Sequence, residues 1–319
     1  MSVSYIGSGN YCYANSMAMA LQEFGEYDPG YLECLSTVAV SACWLAGKNE
    51  EFIFFSSKFA SPDVGISQAL RNLGFLFEEK FYTHADRKAQ YDAISVLQNW
   101  VKTGPVIVGP VDMGKLSYIP FHKDLQGVDH YVVVHDVSKE YVFFHDPSGY
   151  PFTLMQTDEF MKAWKATAIS YKRGPFSMWG QFTVGSHPEP FKVFSVTDRA
   201  IAQFFVEERR TTDKSIGPSA IRRLAELVLH NELSPHQRGH LAFFSFPLAA
   251  RRCSDFFRFY APYDAERANI KQGQGQSFGM VHAALMKKDS QRVHYLLNHL
   301  ADLEEEYQIA TLKFNSVDL

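Results

Sequence analysis

The chain has 319 residues, enough for two domains of ordinary size at about 150 residues each, with 46% hydrophobic and 21% charged residues. A net charge of -4 argues against a bulk nucleic-acid binder, because phosphate binding needs a positive field. No stretch approaches the roughly 20 uninterrupted apolar residues of a membrane span, and the first ten residues lack the basic and apolar blocks of a secretory signal. The four cysteines, Cys12, Cys34, Cys43 and Cys253, show neither metal-ligand spacing nor a disulfide framework, so a reduced, cytoplasmic protein is expected. The 27 Phe and 16 Tyr imply heavy aromatic packing.

In chain order, SGNYCYANS (8–16) comes first, a stretch of small and polar residues around Cys12. From it Ala14, Met17, Ala18, Leu21 and Phe24 recur at helical spacing up to Gly25, so Cys12 falls at a helix start. Further helices are expected over Tyr31–Leu45, over Ile66–Leu73 before Gly74, and over Gln90–Val101. The period then shortens. PVIVG (105–109), HYVVVHD (130–136), YVFFHD (141–146) and PFTLM (151–155) read as strands, and 158–168 returns to helix. Helices followed by a block of strands indicate an α+β domain over 1–180.

The Gly-, Pro- and Ser-rich segment 173–192 marks the domain junction. Beyond it, helices are expected over about 196–210, 218–230, 240–258, 277–287 and 289–307, with IKQGQGQSFG (270–279) as a loop. The second domain, 190–319, is thus expected to be all-α.

The chemistry concentrates in the strands. A three-residue loop, Ser138-Lys139-Glu140, pairs Val137 with Tyr141 and brings Asp146 opposite Val132, on the face of His130. A two-residue loop puts His130 and Asp146 on opposite faces unless a bulge restores the register. A histidine oriented by a carboxylate is the base half of a nucleophilic triad, and Cys12 supplies the nucleophile. The positive end of the helix dipole favours its thiolate, and a nearby imidazolium favours it further.

Each candidate has a plainer alternative. Cys12 could be a small buried hydrophobe, His130 a packed strand-end histidine, and Asp146 the opening of an Asp-Pro turn. His135 and His145 fall on the other face by alternation. The same alternation splits Asp129, His130, His135, Asp136, His145 and Asp146 between two faces, which disfavours a metal site. Asp112 follows a strand, where a cleft position and a turn role weigh equally. Tyr131 is the other cleft candidate. The pairs Arg209-Arg210, Arg222-Arg223 and Arg251-Arg252 read as solvated helix faces, with an acidic carrier protein or phosphopantetheine as the alternative partner.

The order Cys, His, Asp, with the nucleophile on an early helix, resembles the papain-like arrangement. Over about residues 1–170 the chain is similar to bacteriocin-processing double-glycine peptidases. It is closer to the N-terminal domain of the butirosin biosynthesis protein H family, acyltransferases of that fold. The residues that carry this are CYANSMAMAL (12–21), GPVIVGPVDMGKLSYIP (104–120), DHYVVVHDV (129–137), HDPSGYPF (145–152) and FMKAW (160–164). SAIRRLAELV (219–228) and FFRFYAPYDAE (256–266) resemble the helical domain that follows in that family.

The resemblance implies a papain-like catalytic domain and a helical domain covering its cleft. It implies Cys12 as acyl carrier, His130 as base and then acid, and Asp146 as orienting group, with no cofactor and no metal. The donor is expected to be a thioester, on an acyl carrier protein or CoA, and the acceptor an amine. Peptide or amide hydrolysis is the alternative activity, and a non-catalytic binding module a third reading; no nucleic acid or membrane partner is expected. Papain-like enzymes often place a Gln six residues before the cysteine as an oxyanion donor; here that position is Ile6. Asn10 or the backbone N–H of Cys12 would take over, a role worth about 2.7–4 kcal/mol of barrier.

Overall fold

The computed structural model describes residues 3–7, 10–47 and 49–316. Its helices are α1 Cys12–Ala20, α2 Pro29–Leu35, α3 Pro62–Asn72, α4 Arg87–Trp100, α5 Thr157–Trp164, α6 Pro190–Arg210, α7 Gly217–Leu229, α8 Pro235–His240, α9 Phe246–Tyr260, α10 Ala265–Met286 and α11 Ser290–Phe314. Its strands are β1 Cys43–Ala46, β2 Glu51–Phe54, β3 Phe75–Lys80, β4 Val106–Asp112, β5 Asp129–Val137, β6 Tyr141–Asp146, β7 Tyr150–Gln156 and β8 Met178–Val184. The chain is α+β, with antiparallel sheets. It divides into two compact units, Met1–Leu32 with Ser61–Pro188, and Glu33–Ala60 with Glu189–Leu319.

In the first unit six antiparallel strands run in the order β3-β8-β4-β5-β6-β7. Alternation along the strands sets the layers. Val106, Val108, Val132, Val134, Val142 and Phe144 form one buried face, packed with Leu97 of α4 and Phe160 and Trp164 of α5. Tyr131 and Trp179, at the alternate positions, look toward α1 and α3: Tyr13 meets the Tyr131 ring edge-on at 6.1 Å, and Trp179 Nε1 donates to Ser67 Oγ at 2.9 Å. Each fully buried aliphatic or aromatic side chain contributes about 1.5–3 kcal/mol.

Local chemistry explains the boundaries. Asp86 caps α4 by accepting from Ala89 N at 2.8 Å, and Gly74, at φ +83, turns the chain out of α3. Gly109 lies in the β4 bulge, where a Cβ would sit 2.4 Å from Tyr131 Cδ1 and 2.8 Å from the His130 carbonyl oxygen. Only glycine permits that approach.

The sequence reading differs from the structure at several elements. The helix expected over Tyr31–Leu45 stops at Leu35, because Ser36 Oγ donates to the Glu33 carbonyl and Thr37 adopts φ 59. The chain then forms the β1–β2 hairpin, which belongs to the second unit, so that unit is not all-α. The 173–192 segment holds β8, a central strand. Residues 270–279 continue α10 without interruption.

That last segment carries polar residues because they are buried in a network. Lys271 Nζ donates to Gln274 Oε1 at 2.8 Å and sits 3.4 Å from the centre of the Tyr307 ring, while Gln274 Nε2 donates to Glu304 Oε2 at 2.8 Å. A Cβ at Gly275 would sit 3.3 Å from Cys253 Cβ, so glycine there permits close packing of α10. The apolar core of this unit joins Trp44 and Ile53 of the hairpin to Leu224, Phe246, Phe278 and Leu297. Arg252 also departs from expectation. It is buried, and Nε donates to Glu33 Oε1 at 2.8 Å. Arg209 and Arg210 are exposed, and Arg222 and Arg223 form surface ion pairs with Asp302 and Glu51. No described helix is long and apolar enough to cross a membrane.

Candidate active site

The site is built where β5 and β6 bring His130 and Asp146 together. Near the turn Val137 lies opposite Val142 and Asp136 opposite Phe143, one residue out of the expected register. A bulge at His135 restores it, so that Val134 faces Phe144 and Val133 faces His145. His130 Nε2 then lies 2.6 Å from Asp146 Oδ1, both side chains buried.

Asp146 is held from three directions. Oδ1 also accepts from Ser148 N at 2.7 Å, and Oδ2 accepts from the Tyr118 hydroxyl at 2.6 Å. Burial works against the charged carboxylate, yet His130, Tyr118 and the Ser148 N–H together hold it below the usual carboxylate range. Burial likewise works against the imidazolium. The Asp146 carboxylate and its hydrogen bond, with Cys12 adding to them, push His130 up to about 10. His130 is therefore protonated at neutral pH.

Cys12 is the first residue of α1 and is partly exposed, unlike Cys34, Cys43 and Cys253. It is hydrogen-bonded to His130. With Nε2 committed to Asp146, Nδ1 is the ring nitrogen left for the thiol. The three residues singled out from sequence are thus assembled in one place.

The segment before Cys12 is pinned from several sides. His145 Nε2 donates to the Val3 carbonyl at 2.8 Å, the Tyr5 hydroxyl accepts from Gly149 N at 2.8 Å, and Gln22 exchanges two hydrogen bonds with the Ser4 backbone. His145 packs beside His135 at 5.0 Å between ring centres. Ser8 and Gly9 of the small-residue loop lie outside the described residues. Asn10 is exposed, and Ile6 offers no side-chain donor.

Asp112 has the turn role. It is buried, and its Oδ1 accepts from Gly114 N at 3.0 Å and Gly127 N at 2.9 Å, closing the loop between β4 and β5. That loop carries Tyr118, whose ring packs on Phe144 and Tyr150. Sequence reasoning missed Tyr118 because a loop tyrosine has no periodicity, and its partner lies 28 residues away. Tyr131 is fully buried beneath α1 rather than open to a cleft. Among the described residues no group of three or more His, Cys, Asp or Glu could hold a metal ion.

The arrangement, a partly exposed thiol, an imidazole and a buried carboxylate in sequence, has the composition of a cysteine-nucleophile site. Residues 211–312 match the family model of the YobF C-terminal domain. Along nearly its full length the chain is similar to the uncharacterized protein YobF of Bacillus subtilis (strain 168), with 35% identity over 314 residues covering 97% of this chain and 98% of that one. The chain belongs to the YobF family.

Proposed function

We propose that the first unit is a papain-like domain of the butirosin biosynthesis protein H type, and that it transfers acyl groups through a thioester on Cys12. The observation that supports this best is the buried His130–Asp146 pair at 2.6 Å, with Cys12 hydrogen-bonded to the same imidazole. A protonated His130 beside the sulfur favours the thiolate, the attacking form.

The thiolate attacks the carbonyl carbon of an acyl thioester, on a carrier protein or CoA, and the carbonyl electrons move onto oxygen. The amide of Cys12, at the helix start, and Asn10 are the donors nearest in sequence for that oxyanion. As the tetrahedral intermediate collapses, the donor thiol leaves with the proton from His130. An amine then attacks the acyl-Cys12 carbonyl, gives a proton to the now neutral His130, and departs as the amide. Asp146 keeps the imidazole in position through both halves and balances its charge.

The test is incubation with short acyl-CoA thioesters, with and without a panel of amines, followed by intact-mass and product analysis. An acyl adduct that maps to Cys12, is lost in Cys12→Ala and is converted to amide by amines is the expected result. Free acid as the sole product, whatever the amine, would replace transfer by hydrolysis, and an adduct that survives in Cys12→Ala would refute the nucleophile.

A further inference from the structure

The segment that leads to Cys12 bears on the turn that follows Asp146. Asp146 of β6 is paired with Tyr150 of β7, and Pro147, Ser148 and Gly149 make the connection. Within this turn Ser148 N donates to Asp146 Oδ1 at 2.7 Å, and the same oxygen lies 2.6 Å from His130 Nε2. The next amide, Gly149 N, donates outward to the Tyr5 hydroxyl at 2.8 Å. Two successive amides of one turn therefore hold Asp146 on one side and Tyr5 on the other.

Tyr5 is fixed for that contact. A Cβ on Gly7 would stand 1.9 Å from the Tyr5 hydroxyl oxygen and 2.6 Å from the Pro147 carbonyl oxygen, so glycine lets the chain lie close to both the phenol and the turn. The Tyr5 ring meets His145 edge-on at 5.9 Å between ring centres. On either side of it His145 Nε2 bonds the Val3 carbonyl, and Gln22, just beyond α1, bonds both backbone groups of Ser4. Gly149 is exposed, so water can replace a lost acceptor there, but it does not tie the turn to the anchored segment.

We propose that Tyr5 is a positioning residue of the site, holding the Pro147–Gly149 turn so that the Ser148 N–H stays aligned on Asp146 Oδ1 and the carboxylate on His130. The proposal rests on the reading of Cys12 as the reactive thiol. Tyr5 acts only through Asp146, whose charge keeps His130 protonated and so favours the Cys12 thiolate.

The test is the rate of Cys12 alkylation by iodoacetamide from pH 4 to 10, followed by peptide mapping. Tyr5→Phe keeps the ring against His145 and removes only the acceptor. It should move the acid limb to higher pH by about half a unit, read on that limb as an about threefold lower rate, the scale of one neutral hydrogen bond. Asp146→Asn removes the charge through which Tyr5 acts, so adding Tyr5→Phe to it should move the limb no further. Gly7→Ala, which presses a Cβ on the Pro147 carbonyl, should shift the limb at least as far as Tyr5→Phe. A limb unmoved in Tyr5→Phe would overturn the proposal, and so would equal shifts in the wild-type and Asp146→Asn backgrounds, which a purely structural role gives. If Gly7→Ala does not fold, the two Tyr5→Phe comparisons decide. A wild-type Cys12 no more reactive than the three buried cysteines would refute the nucleophile reading, and this proposal with it, before any variant is compared.

Discussion

His130 Nε2 stands 2.6 Å from Asp146 Oδ1 because the β5–β6 pair shifts register by one residue at His135. The contact couples two titrations to stability. His130 is raised from 6.5 to about 10, so its contribution is fully present below pH 6.5 and is lost as pH rises through about 10. Asp146 is lowered from 3.8, so its contribution is present above that pH and is lost as pH falls through its folded value. The pair should therefore support stability most between about pH 4 and 6.5. Melting curves of wild type and Asp146→Asn from pH 3 to 10 check this. The variant should lose the alkaline decline between pH 6.5 and 10, and an identical decline in both proteins would exclude the pair as its source.

The same charge pattern predicts thiol selectivity. Burial pushes Cys43 and Cys253 up to about 12, and Cys34 well above the ordinary thiol value. Cys12 is partly exposed and faces a protonated imidazole. In the folded protein at pH 6, iodoacetamide should label Cys12 and leave the other three cysteines unmodified. His130→Ala should slow the labelling by about a hundredfold, the lower range of what a positioned acid–base partner contributes. Even labelling of all four cysteines would show that neither burial nor the ion pair sets reactivity here.

Much of this was legible in the residues, and the exceptions share a cause. Alternation in HYVVVHD and YVFFHD places His130 and Asp146 on one face, and the even register that this requires is present once the His135 bulge has been passed. Cys12 falls at a helix start because the apolar period begins there. What local pattern could not give were groups defined by distant partners. Tyr118 acquires its role from a carboxylate across the sheet, β8 acquires its strand from β3 and β4, and Arg252 is buried by Glu33, 219 residues away. The α10 segment reads as a loop because its glycines and glutamines suit turns. In the structure they serve close packing on Cys253 and a buried network with Glu304.

Asp112 and Tyr118 form a chain of support that ends at Asp146, and the two should be energetically coupled. Asp112 fixes both ends of the 114–127 loop through the Gly114 and Gly127 amides, and the loop delivers the Tyr118 hydroxyl to Asp146 at 2.6 Å. Tyr118→Phe removes a hydrogen bond to a carboxylate, worth about 1.5–3 kcal/mol, and raises the pKa of Asp146. The acid limb of Cys12 alkylation should then move to higher pH. Asp112→Ala leaves two amides without their acceptor, and should shift that limb the same way by letting the loop drift. If Asp112 acts on the site only by placing Tyr118, adding Asp112→Ala to Tyr118→Phe should move the limb no further, with a coupling energy above about 0.5 kcal/mol. Additive shifts would mean that Asp112 acts by another route. A limb that stays fixed in Tyr118→Phe, at reduced urea stability, would leave the phenol a packing role alone.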